Sequence, residues 1–142
     1  MKQFKHRYAS RYTSVTQARR DVVGFTALCG LREHDIADVA LAVGEACNNA
    51  AEHGHVNGGF FTLRCTCAAG LLTVDVLDEG KGFLLAGKGE RMDPESRGVR
   101  GLGIFLMRAL MDDVSYEMSG HGTRVRLIKK IEAAQQLAVG ER

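Results

Sequence analysis

The chain lacks the features that mark membrane, secreted and nucleic-acid-binding proteins. No hydrophobic run approaches the roughly 18 residues that a membrane-spanning helix needs. The N-terminus, MKQFKHRYAS, has no apolar centre like that of a signal peptide. Neither sign of charge is in large excess, since the formal net charge is only +2. We therefore expect a cytoplasmic protein that contacts neither membrane nor nucleic acid directly.

Cysteine is present, but not in a metal-binding pattern. The four cysteines are Cys29, Cys47, Cys65 and Cys67. No C-x-x-C pair occurs among them, so we predict no zinc site. Cys65 and Cys67 would point to the same face of a strand. We interpret all four as reduced, mostly buried structural thiols.

The periodicity of apolar residues predicts one domain of mixed architecture. No repeat or low-complexity tract divides the 142 residues, a length typical of one domain with one core. Helix signals begin after Ser14, a suitable N-cap, and again near Asp35, with Gly54 suited to the position after the second helix. The predicted strands cover residues 3–10, 60–67, 71–77, 114–119 and 123–129. The predicted third helix covers residues 102–112.

The order of these elements decides the expected fold class. Two helices follow the first strand, and the third helix follows a hairpin, so strands and helices do not alternate one by one. This order predicts an α+β two-layer sandwich, with helices on one face of a mainly antiparallel sheet. Residues 78–100 hold the only proline and are rich in glycine and charge. They predict a long loop of the kind that is usually functional or mobile.

Chemistry-bearing residues cluster at the end of the second predicted helix, in the letters GEACNNAAEHG. Glu45 and Asn49 are at positions i and i+4, so they stand on one helix face, while Val39 and Val43 are expected to be buried on the other. An asparagine amide oxygen is a suitable ligand for Mg²⁺. On this stretch alone, a helix that simply ends in solvated polar residues remains an alternative.

Two glycine-containing stretches could contact a ligand. The stretch DEGKGF (78–83) directly follows a strand, and its glycines would let a ligand approach the backbone. The stretch RGLGIFLM (100–107) opens a helix, where exposed N–H groups and the helix dipole favour an anion. A third stretch, GFLLAGKG (82–89), nearly matches the phosphate-loop pattern but lacks its final Ser or Thr, so we predict no P-loop there.

In this order, the motifs resemble those of the GHKL ATPase superfamily, which has the Bergerat nucleotide fold and includes DNA gyrase, Hsp-type chaperones, sensor histidine kinases and MutL. The anti-sigma-factor serine/threonine protein kinases look most similar. VGEACNNAAEHG is similar to their Asn-bearing helix, VLDEGKGF to their first glycine box, RGLGIFLMRALMDDV to their second and GTRVRL to their final strand. The resemblance spans residues 19–129.

The resemblance implies ATP and Mg²⁺ as cofactors and assigns roles to matching residues. Asn49 would coordinate Mg²⁺, and Glu45 would orient or deprotonate the attacking serine hydroxyl, with Arg19 near the phosphates and the protein substrate. Asp78 would accept a hydrogen bond from the adenine amino group, and residues 84–100 would form a lid. The nucleotide-contacting residues so implied are Asn49, His53, Asp78, Gly80, Gly82, Arg97, Arg100, Gly101, Leu102, Gly103 and Thr123.

The implied function is that of an ATP-dependent serine/threonine protein kinase that acts as an anti-sigma factor. It would bind a sigma factor and phosphorylate an antagonist with a STAS-type domain, in a partner-switching scheme. Two alternatives stay open on the sequence. One is a nucleotide-gated regulator that transfers no phosphoryl group, and the other is a detached histidine-kinase catalytic domain. The resemblance is also compatible with a homodimer.

Overall fold

The computed structural model describes residues 1–55, 58–79, 99–119 and 122–131, with side chains at all of them except 53–55, 99–102 and 119. Five strands and three helices lie in this part of the chain and follow the predicted order, which is confirmed. They are β1 (Lys2–Ala9), α1 (Tyr12–Leu28), α2 (Glu33–His55), β2 (Phe60–Ala68), β3 (Leu71–Asp78), α3 (Val99–Leu110), β4 (Asp113–Ser119) and β5 (Gly122–Lys130).

The strands form one antiparallel sheet in the order β1-β2-β3-β5-β4. Strands β2 and β3 are joined by a tight turn at Ala69 and Gly70, whose φ angles are 53° and 77°. Two successive positive φ angles are typical of a type I′ turn, which matches the twist of an antiparallel hairpin. The predicted α+β sandwich is therefore confirmed.

A single core lies between the sheet and the helices. Alternate residues of each strand face the helices, and α2 packs against β2, β3 and β5 with α1 and α3 beside it. No helix in the described residues is long and apolar enough to cross a bilayer. The fully buried side chains of this core include Val22, Val39, Val43, Cys47, Phe61, Leu63, Leu72, Val74, Met107 and Leu127.

The two helix boundaries that capping residues predict are wrong. Helix α1 begins at Tyr12 and is preceded by Arg11, whose side chain makes no capping hydrogen bond. Ser14 lies inside the first turn, where its N–H donates to the Arg11 carbonyl at 3.0 Å. Helix α2 continues to His55, so Gly54 lies within its last turn. Cap preferences contribute only about 1 kcal/mol, which is too little to fix a helix boundary to the residue.

The sheet face opposite the helices holds a buried carboxylate, Asp75, which is 3% exposed. Its oxygens accept hydrogen bonds from Arg126 at 2.7 and 2.9 Å, and Arg64 adds a longer contact at 3.4 Å. Burial by itself would raise the pKa of Asp75. The hydrogen bonds from Arg126 and the nearby positive charges reverse that effect and hold the pKa below its ordinary value of 3.8.

We expect Asp75→Asn to lower the free energy of unfolding by about 1–3 kcal/mol at pH 7, measured by urea titration. This expected loss of stability is smaller than that for breaking a fully buried ion pair, because the Arg126 side chain is 38% exposed. A carboxyl whose folded-state pKa is depressed contributes stability above its unfolded pKa, and this contribution is lost as pH falls through the folded-state pKa. The difference between wild type and variant should therefore shrink below about pH 4.

Glu117→Gln is the matched control for this ion pair. Glu117 pairs with Arg124 on the same sheet face, but its side chain is 64% exposed. An exposed pair contributes about 0–1 kcal/mol, so this variant should unfold at nearly the wild-type urea concentration. Equal stability of the two variants at pH 7 would contradict the role assigned to Asp75.

Candidate active site

Helix α2 provides the polar centre of the candidate site. Glu45 and Asn49 are both half-buried, whereas the neighbouring Ala46, Cys47 and Ala50 are at most 5% exposed. The apolar positions fix α2 on the sheet, and this leaves the two polar side chains at the margin of the core. The helical spacing inferred from sequence therefore places them on one face.

Helix α3 approaches α2 closely at Gly103. A Cβ atom built on this buried glycine would lie 2.7 Å from Glu45 Oε1, which is shorter than a normal contact. Only glycine lets the α3 backbone come this near to the carboxylate without displacing it. The contact brings the second glycine stretch of the sequence directly beside Glu45.

Arg19 of α1 contacts α2 one residue before Glu45. Its side chain crosses Gly44, where an added Cβ would lie 3.0 Å from Arg19 Cδ and 3.2 Å from Nε. The cation thus lies over the residue that precedes Glu45 in α2. Sequence reasoning did not select Gly44. The sequence feature that could have identified it is its position inside a helix. A glycine there lowers helix stability by about 1 kcal/mol relative to alanine, and it often marks a close packing contact.

A second polar group lies where β3 and β5 pair. Asp78 ends β3 directly opposite Thr123 of β5, and the two are 6% and 5% exposed. Asp78 continues the alternation of Leu72, Val74 and Val76, so it faces the helix side of the sheet. Within the described residues, Thr123 Oγ1 is buried without a hydrogen-bond partner.

A buried hydroxyl with unsatisfied bonding capacity costs about 1–3 kcal/mol. Such a group is expected where a ligand completes the hydrogen bonding. Together, Thr123 and the Asp78 carboxylate fit the polar edge of a purine base, because a carboxylate accepts a hydrogen bond from an exocyclic amino group. The residues present are therefore chemically suited to an adenine nucleotide.

The remaining predicted site residues cannot be placed by their side chains. Gly80, Gly82 and Arg97 lie outside the described residues, as do most of the predicted lid and the stretch resembling a phosphate loop. The last two residues of the predicted lid, Val99 and Arg100, form the start of α3. Only backbone is described for four predicted residues: His53 within α2, and Arg100, Gly101 and Leu102 within α3.

Comparison with known proteins relates this geometry to a family. The profile of the histidine kinase-like ATPase domain matches residues 8–129, and such a domain implies ATP binding. Two solved structures share the fold. The RsbU and RsbW domains of Rv1364c from Mycobacterium tuberculosis align with a TM-score of 0.70 at 18% identity, over 92% of this chain and 33% of that chain. A histidine kinase domain from Erythrobacter litoralis EL346 aligns with a TM-score of 0.55 at 23% identity, over 77% of this chain and 50% of that one.

Curated relatives identify the branch of the family. The anti-sigma F factor of Thermoanaerobacter sp. (strain X514) is 32% identical over 132 residues, which cover 87% of this chain and 90% of the relative. The serine-protein kinase RsbW of Bacillus licheniformis (strain ATCC 14580) is 31% identical over 121 residues, which cover 78% of this chain and 74% of the relative. The chain therefore belongs to the histidine kinase-like ATPase (GHKL) family and is homologous to anti-sigma F factors and RsbW serine-protein kinases, as the sequence motifs predicted.

Proposed function

We propose that this chain is an ATP-dependent serine/threonine protein kinase that acts in the cytoplasm as an anti-sigma factor. It binds a sigma factor and phosphorylates a STAS-type antagonist of that binding. One observation supports the catalytic part above all. Glu45 is held against the α3 backbone at Gly103, one helical turn from Asn49, in an ATPase domain whose relatives include serine-protein kinases.

In this proposal, the adenine base of ATP binds where β3 and β5 pair. The Asp78 carboxylate accepts a hydrogen bond from the adenine amino group, and the buried Thr123 hydroxyl completes the polar contact. Guanine carries a carbonyl oxygen at the position of that amino group, which would face the carboxylate as an acceptor. The same pair of residues therefore accounts for a preference for adenine.

The phosphates lie towards the N-terminal end of α3. The first backbone N–H groups of any helix have no partner within the helix, and together with the helix dipole they favour anionic oxygens. The Arg19 cation beside Gly44 adds positive charge on α2. The amide oxygen of Asn49 is a suitable ligand for Mg²⁺, a cation that prefers oxygen ligands. When bound, Mg²⁺ neutralises phosphate charge and favours phosphoryl transfer.

Glu45 acts on the incoming serine or threonine hydroxyl. Its carboxylate accepts the hydroxyl hydrogen, which orients the oxygen towards the γ-phosphorus, and takes up the proton as the new P–O bond forms. The bond to ADP breaks in the same displacement. Phosphoryl transfer requires mainly positioning and charge stabilisation, so a carboxylate at this position is sufficient. A protein that only binds ATP has no chemical need for this group.

The test is a transfer assay with ATP radiolabelled in its γ-phosphate, Mg²⁺ and a panel of STAS-domain proteins. We expect label on a serine or threonine of one of them, in an acid-stable ester. Acid-labile label would instead indicate a histidine-kinase catalytic domain. If calorimetry detects ATP binding but no substrate is labelled, the kinase proposal fails and a nucleotide-gated regulator remains.

A further inference from the structure

The last strand, β5, places a lysine on the helix side of the sheet. Thr123, Val125 and Leu127 alternate along β5 and are buried, and Lys129 continues this alternation. Lys129 pairs with Leu72 of β3, whose side chain is fully buried. The Lys129 side chain itself is only 13% exposed. Lysine is rarely buried to this extent unless its ammonium group has polar partners.

The polar partners of Lys129 belong to two different helices. Its Nζ donates a hydrogen bond to the Leu110 carbonyl at 2.6 Å. Leu110 is the last residue of α3, where the final carbonyls have no partner within the helix and the helix dipole favours a cation. The same Nζ lies 3.8 Å from Oδ2 of Asp38, a partly buried residue of α2. Lys129 therefore joins α2, α3 and β5 at one point.

A second contact between α2 and α3 lies further along the same two helices. Glu45 follows Asp38 in α2 by about two helical turns, and Gly103 precedes Leu110 in α3 by about the same length. The close approach of Gly103 to Glu45 is therefore about 10 Å along the helix axes from the Lys129 contact. The two helices run in opposite directions here, so a displacement of α3 at Leu110 also moves Gly103 relative to Glu45.

Backbone contacts fix the end of α3 on the sheet. The Asp112 N–H donates to the Ile128 carbonyl at 2.8 Å, and an Asp112 carboxylate oxygen accepts a hydrogen bond from the Lys130 N–H at 2.6 Å. These bonds hold the turn between α3 and β4 on β5. The Lys129 side chain extends this attachment to α2 through Asp38.

We propose that Lys129 is a positioning residue for phosphoryl transfer. By contacting Leu110 and Asp38 together, it sets the position of α3 along α2 and so holds the Gly103 backbone beside Glu45. Lys129 acts through these groups and not on the nucleotide, because Thr123, where the base binds in the proposed function, is about 20 Å away along β5. The predicted effect on the reaction rate rests on the proposed function, whereas the predicted effect on helix position does not.

The first measurement is independent of kinase activity. In an amide NMR spectrum of the full chain labelled with nitrogen-15, the Gly103 signal reports on the α3 backbone beside Glu45. We expect Lys129→Met to shift this signal. Lys129→Arg should return it towards the wild-type position, because arginine keeps a cation that can donate to the Leu110 carbonyl. Lys130→Met is the matched control, since it removes the neighbouring, exposed lysine, and it should leave the Gly103 signal unchanged.

The second measurement is the single-turnover rate of phosphoryl transfer to the antagonist, at saturating ATP and Mg²⁺. Lys129→Met should slow transfer by about 5- to 50-fold, because a misplacement of about 1 Å can lower a rate by about 100-fold. Lys129→Arg should recover most of the rate, and Lys130→Met should transfer at nearly the wild-type rate. In a Glu45→Gln background, Lys129→Met should lower the rate little further, because the group that it positions is already changed.

The outcomes separate this inference from the proposed function. An unshifted Gly103 signal in Lys129→Met overturns the inference whatever the activity, and Lys129→Gln takes its place if Lys129→Met does not fold. A shifted signal with a wild-type transfer rate, or an equal loss of rate in the Glu45→Gln background, overturns the positioning role. If the wild-type chain labels no antagonist, the proposed function fails, and the Gly103 signal still decides whether Lys129 sets the position of α3.

Discussion

Glu45→Gln should lower the rate of phosphoryl transfer to the antagonist by about 100- to 10,000-fold, the usual contribution of a positioned general base. Glutamine has nearly the same shape but cannot accept the serine proton. The affinity for ATP should change little, because Glu45 acts on the attacking hydroxyl and not on the nucleotide. Single-turnover transfer of labelled phosphate measures the rate, and calorimetry with Mg²⁺ measures ATP binding.

Two further variants serve as a control and as an independent test of the role of Glu45. Glu33→Gln changes an exposed glutamate in the first turn of the same helix and should transfer phosphate at nearly the wild-type rate. Gly103→Ala places a methyl group where Glu45 Oε1 is only 2.7 Å away. It should slow transfer by displacing an unaltered carboxylate. A wild-type rate in Glu45→Gln would exclude this carboxylate from the chemistry and favour the nucleotide-gated regulator.

Asp78→Asn should weaken ATP binding by about 10- to 100-fold. A hydrogen bond to a charged group contributes about 1.5–3 kcal/mol, and each 1.4 kcal/mol corresponds to about tenfold in affinity. The asparagine amide also offers a donor that can meet the guanine carbonyl. The preference for ATP over GTP should therefore narrow in the same titrations.

Asp75→Asn is the matched control for Asp78→Asn. The two aspartates lie on one strand, but Asp75 faces away from the helices and is bound by Arg126. Its substitution should reduce stability without altering ATP affinity in the folded protein. If both variants lose the same affinity, the effect reflects stability and the adenine contact at Asp78 is not supported.

Several parts of the fold and site were predictable because they depend on neighbours in sequence. The four-residue spacing of Glu45 and Asn49 predicts a shared helix face whatever the helix packs against. The short connection at residues 68–70 predicts a hairpin, and the positive φ angles of Ala69 and Gly70 agree with it. The wrong helix boundaries at Ser14 and Gly54 arose because a capping preference contributes only about 1 kcal/mol and does not fix a boundary to the residue.

The sequence by itself determined the element order, the motif positions and the alternation that turns Asp78 towards the helices, since these follow from local periodicity. Only the tertiary structure decided which of these positions meet. It placed Arg19 across Gly44 and Gly103 against Glu45. Such contacts depend on the packing of helices and the register of strands, which are properties of the assembled core. A glycine inside a helix, such as Gly44, indicates a close contact but does not say which residue makes it.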